Sequence, residues 1–136
     1  MRHNARYSEL VRRVVNAGEQ LAQALGHATP GAGHLLAALL HERRGSARML
    51  LTTCGVDAQR LQADLRDGHA DLLGGAQAAL SAALELSTAA GSHYTGTEHL
   101  LLALVNLPTC AAWLTAYDVD IDRLTSAVSD QVWNRR

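Results

Sequence analysis

The sequence predicts an all-α domain, a tandem pseudo-symmetric repeat of two four-helix units with about eight helices. Three observations predict it. Leu and Ala supply 23 and 24 of the 136 residues, while aromatics number five and Phe is absent, a helix-forming composition. The stretch GHATPGAGHLLAALL (26–40) returns as GSHYTGTEHLLLALV (91–105), and LLTTCGVDAQRL (50–61) returns as WLTAYDVDIDRL (113–124). Apolar residues fall at helical spacing throughout, and no alternating strand pattern exists.

In repeat one, Ser8 is a good N-cap for a helix to about Leu25, ended by Gly26. Leu10, Val14, Leu21 and Leu25 keep its apolar stripe. A second helix starts near Ala32 and buries Leu35, Leu36, Leu39 and Leu40. A short third runs from about Gly45 to Cys54 and stops at Gly55. Asp57 caps a fourth, through Leu61 and Leu65. Repeat two follows at 75–90, 97–106, 109–117 and 120–133, with Thr97 and Asp120 as caps. Ala32 stands where repeat two has Thr97, and Ala is a poor N-cap. The sequence therefore predicts a weaker cap and a more mobile loop 27–33 in repeat one. The offset between copies is 65 residues at the first match and 63 at the second, so repeat two has lost two residues near Pro108. The whole chain, 1–136, reads as one domain: repeat one at about 5–68, a linker at about 67–75, repeat two at about 75–136.

Composition excludes several classes. Net charge is −1 and 48% of residues are hydrophobic, which argues against disorder. All twelve basic residues are Arg; residues 1–68 hold nine against six acids, and 69–136 hold three against seven. The chain is dipolar rather than basic, so no nucleic-acid partner is expected. No apolar run is long enough to span a membrane, and the start MRHNARYSEL lacks the core of a secretory signal. Two Cys form no disulfide scaffold, which points to a reducing cytoplasm. There is no GxxxxGK[ST] loop, so ATP hydrolysis is not expected of these residues.

The motif Gly-x-x-x-x-Gly-Thr-Glu-His-hydrophobic-Leu, complete at Gly91–Leu101 and worn at Gly26–Leu36, resembles the Clp N-terminal domain. GTEHLLLAL and the Gly26–His27 pair bring it nearest the ClpC branch. The resemblance covers nearly the whole chain. It implies a non-enzymatic docking module for adaptor proteins, substrate peptides or cyclic peptide antibiotics of the Clp system, here without an ATPase module. In ClpC-type domains each copy also holds a phosphoarginine pocket. A carboxylate at the start of the second helix pairs with the guanidinium, and a hydroxyl and free N–H groups at the start of the first take the phosphate. Carried over, the carboxylate is Glu98 in repeat two but Gly33 in repeat one. The hydroxyl is Ser8 in repeat one but Leu73 in repeat two. Each copy keeps half of the pair, which predicts that phosphoarginine binding is impaired or lost; a phosphoarginine reader that still works with one degenerate pocket is the alternative.

The expected ligand residues are Ser8, Arg12, Tyr94, Thr95, Thr97 and Glu98. Two roles fit Glu98: compensation of the helix dipole, and pairing with a ligand. His34 and His99 occupy equivalent positions and read as structural, since a residue repeated in both copies serves the repeated fold. Seven His with Cys54 and Cys110 raise a metal or metal-dependent enzyme as an alternative, but no compact ligand spacing is present, and no metal or cofactor is expected. Ser8, Ser81 and Cys110 lack a nucleophile motif. Trp113 reads as core, Tyr94 as an exposed contact, and Trp133 as a closure of the last helix against repeat one or a sticky patch. The Arg12–Arg13 pair is a candidate contact.

Overall fold

The computed structural model describes residues 6–133. Within them lie nine α-helices: α1 Glu9–Ala24, α2 Ala32–His41, α3 Ala47–Thr53, α4 Ala58–Arg66, α5 Ala70–Leu73, α6 Ala76–Ala89, α7 Thr97–Asn106, α8 Pro108–Ala116 and α9 Ile121–Trp133. No strand occurs among the described residues; a single parallel bridge joins Tyr7 to Thr95.

Local chemistry sets most boundaries. The Ser8 hydroxyl accepts the Val11 N–H at 3.2 Å and starts α1. Asp57 accepts from Gln59 and Arg60 at the start of α4, and Asp120 from Arg123 at the start of α9. Gly26 and Gly91 follow α1 and α6 with φ of +76° and +73°, a conformation that glycine adopts at low cost. Pro108 opens α8, where its missing N–H leaves no bond unmade, and α8 turns 80° from α7.

Helices α2 and α7 form the centre. Every residue from Ala32 to Leu40 is buried, as are Thr97 and His99 to Val105. The two pack on each other; α1 covers α2 and α6 covers α7. Each covering helix also reaches across, α1 to α7 and α6 to α2, which gives the pseudo-two-fold relation. One hydrophobic core runs through both repeats. A polar tie crosses it: the Trp113 indole N–H donates to Asp64 at 2.8 Å, linking α8 to α4. That bond holds the Asp64 carboxyl below its usual range, against the opposing effect of burial, and Tyr117 and Arg60 add to it.

Three expectations need correction. The segment expected as a plain linker carries a short helix, α5, which brings the described helices to nine beside the about eight expected. Its Leu72 is fully buried and packs between α2 and α8. At the 65-residue offset Leu72 takes the place of Tyr7, which is also buried, so apolar burial fixes this segment. Second, Thr97 is not a cap. The N-caps are Gly31 and Gly96, and each donates its backbone N–H to the Nδ1 of the His three residues on, at 2.7 Å for His34 and 2.9 Å for His99. The imidazole does the work of Glu in a capping box. Ala32 in place of Thr97 therefore removes no cap, and the weaker cap expected in repeat one is absent. Third, Trp133 does not close α9 against repeat one. It is half-exposed beside Ala82, Leu86 and Ala103 of repeat two's own α6 and α7.

Candidate functional site

The beginnings of α1 and α7 meet at one end of the molecule. The chain before α1 pairs with the loop before α7: the Ser8 N–H donates to the Thr95 carbonyl at 2.9 Å, and the Thr95 N–H to the Arg6 carbonyl at 2.7 Å. Thr95 is wholly buried, and its hydroxyl bonds the Ser87 hydroxyl at 2.7 Å. Thr95 thus holds the N-terminus of repeat one on repeat two, and it does not line the cavity that results.

That cavity measures about 530 Å³ and is lined by Ser8, Leu10, Gly45, Ser46, Tyr94, Gly96, Thr97, Glu98 and Gln131. Four of the six expected ligand residues, Ser8, Tyr94, Thr97 and Glu98, come together here. Arg12 is exposed one turn along α1 and lies outside the lining. Glu98 curls back over Gly96: a Cβ built on Gly96 would overlap the Glu98 carboxylate and meet Tyr94 at 3.1 Å. Glycine at 96 is what lets the carboxylate lie there. The Thr97 hydroxyl faces the α2–α3 loop, 3.3 Å from a Cβ built on Gly45. Ser46 donates to Gln131 of α9 at 2.8 Å and closes the far wall. Ser46 and Gln131 escaped the sequence reading because no motif marks them; only the return of α9 brings them to the site.

The two halves that the sequence divides between the copies meet in this geometry. The hydroxyl of repeat one and the carboxylate of repeat two line the same cavity, because α1 crosses to α7. The symmetric position, at Leu73 and Gly33, is closed. A Cβ on Gly31 would overlap the Leu73 backbone, and one on Gly33 would lie 2.6 Å from the Leu72 Cβ and 2.9 Å from Leu65 Cδ2.

The lining offers one carboxylate, hydroxyl and amide groups, a half-exposed tyrosine ring and the first turns of two helices. Among the described residues no imidazole, thiol or second carboxylate faces it. This chemistry suits recognition of a ligand carrying a cation and an anion close together. His99 lies behind, its ring edge-on to Tyr94 at 6.4 Å and its Nδ1 engaged by Gly96. His34 is fully buried. Its Nδ1 takes the Gly31 N–H and its Nε2 meets His27 Nδ1 at 2.8 Å. Burial, then the neighbouring His27, holds its pKa below the ordinary value. Cys54 and Cys110 are buried free thiols, and burial pushes Cys110 up to about 12. No three His, Cys, Asp or Glu side chains gather as a metal site among the described residues.

Comparison with known proteins agrees with this architecture. The family model for the Clp repeat N-terminal domain matches twice, over residues 6–72 and 75–135. A curated relative, the negative regulator of genetic competence ClpC/MecB of Bacillus subtilis (strain 168), is 26% identical over 109 residues. The match covers 74% of this chain but only 14% of the relative's length. A chain from a structural study of a malarial protein secretion system superposes with a TM-score of 0.75 at 17% identity, covering 96% of this chain and 97% of that one. The N-terminal domain of the ClpD chaperone from Arabidopsis thaliana gives 0.72 at 18% identity, covering 93% and 94%. Those two likenesses establish the fold; the double family match, spanning nearly every residue, shows that the chain belongs to the Clp N-terminal repeat domain family.

Proposed function

We propose that this chain is a non-enzymatic docking domain of the Clp system and that it takes its ligand in the cavity between the starts of α1 and α7. The observation that carries the reading is the meeting of Ser8 and Glu98 in one cavity. The same observation favours phosphoarginine, or a peptide bearing it, as the ligand. Glu98 pairs with the guanidinium. The Ser8 hydroxyl and the first N–H groups of α1 face the phosphate. One site per chain operates, since the symmetric position is filled by Leu72 and Leu73. Adaptor proteins and cyclic peptides are further occupants of the same end. Added apart from an ATPase ring, the chain would compete with ring-borne copies for such partners, as a decoy or accessory factor.

Calorimetric titration with free phosphoarginine tests this. The wild type should bind one equivalent, and Glu98→Ala should bind about tenfold to a hundredfold more weakly, the loss of one charge-assisted contact. Equal affinity in both removes Glu98 from the site. No heat with the wild type leaves the docking of adaptors as the sole reading, to be tested by competition with a ClpC-type unfoldase.

A further inference from the structure

A second concavity lies on the other side of the α2–α3 loop and belongs to repeat one alone. It measures about 600 Å³ and is lined along α1 by Arg13, Asn16 and Gln20, and at the end of α2 and in the loop by His41, Glu42, Arg43 and Arg44. Three guanidinium groups and one carboxylate thus face a single groove.

The carboxylate is already committed. Glu42 accepts the Arg13 Nε–H at 2.9 Å through one oxygen and the Arg44 backbone N–H at 3.2 Å through the other. Its side chain is 9% exposed, whereas that of Arg13 is 54% exposed. Burial of Glu42 is outweighed by these partners, which hold its carboxyl below the ordinary value. Glu42 therefore orients Arg13 by its Nε and fixes the loop that carries the next two arginines. Arg43 and Arg44 are exposed, and neither side chain has an ion-pair partner among the described residues. The groove keeps an excess of two positive charges on a pre-organised frame, in a chain whose net charge is −1.

We propose that this groove binds a carboxylate-rich peptide segment of a partner protein. Guanidinium forks match carboxylates in bidentate geometry, and Asn16 and Gln20 supply neutral partners for a peptide backbone. A polynucleotide fits less well. Among the described residues no Phe, Tyr or Trp lines the groove to stack a base, and its one ring, His41, is engaged through Nε2 by Gln62 at 2.8 Å. Because the groove shares no lining residue with the cavity at Glu98, it stands independently of that site.

The test is fluorescence anisotropy of the full chain with a labelled octaglutamate peptide and, separately, a labelled thymidine octanucleotide, at low and at physiological salt. The peptide should bind better than the oligonucleotide, and more weakly as salt rises. Arg43→Ala/Arg44→Ala should weaken it at least about tenfold. Arg66→Ala/Arg123→Ala removes the same charge outside the groove and should leave affinity within about twofold. Equal losses in the two double variants would mean unspecific attraction and overturn the proposal. So would tighter binding of the oligonucleotide, or no peptide binding at low salt.

Discussion

At the scale of single residues, the two histidines show how one side chain can replace a cap. His34 and His99 each accept the N–H of the glycine three residues before, and each sits in the core. An imidazolium has no lone pair to accept with, so the cap requires the neutral ring. The His34 pKa is held below 6.5 by burial, with His27 adding to it. The unfolded chain then takes up this proton first as pH falls. The contribution of His34 is complete above 6.5 and declines as pH drops from 6.5 to the folded value. Melting temperatures measured from pH 7.5 to 5.5 should fall less steeply in His34→Asn, whose carbonyl accepts the same N–H and does not titrate. Equal slopes in variant and wild type would separate this proton from stability. Repetition in both copies points to a structural role for His34 and His99; which ring nitrogen accepts, and from what, it does not tell.

At the scale of elements, α5 explains why the two ends of the pseudo-two-fold axis differ. Ser8 at one end is replaced by Leu73 at the other, and Leu72 drives α5 down onto the start of α2. Pro30 stands where Thr95 does and has no N–H, so it cannot make the counterpart of the Thr95 bond to Arg6. One end is thus held open by a backbone bridge, and the other is filled by leucines. Restoring the family carboxylate by Gly33→Glu should not create a second site. The new side chain would collide with Leu72 and Leu65, at a cost of about 1–3 kcal/mol from overpacking. Denaturant unfolding should show that loss, and titration should still count one phosphoarginine per chain. Two equivalents bound by the variant would show that α5 yields.

At the scale of the whole molecule, the repeats are alike in sequence but not independent in stability. Helices α2 and α7 bury their surfaces against each other, and the Trp113–Asp64 bond ties α8 to α4 through the same core. A chain of this size with one continuous core should unfold in a single step. Calorimetry should give equal van't Hoff and measured enthalpies, and a fragment of residues 1–68 should show little helical circular dichroism at 25 °C. Two resolved transitions, or a helical fragment, would make each repeat its own folding unit.

The sequence by itself determined the helical class, the duplication and the positions of most helix starts. These rest on local chemistry: apolar spacing, Ser8, Asp57 and Asp120 as caps, and glycines after α1 and α6. It also named Ser8, Tyr94, Thr97 and Glu98, which the fold brings to one cavity. What it could not supply was their partnership. Read along the chain, Ser8 and Glu98 belong to different copies and look like two broken pockets. Only the crossing of α1 onto α7 makes them neighbours, and only the burial of Leu72 closes the opposite end. The arginine groove was hidden for the same reason, since Arg13 and Arg43–Arg44 are 30 residues apart and meet where α1 packs on α2. Contacts distant in sequence are chosen by how helices bury their apolar faces together, and periodicity within one helix does not encode that choice.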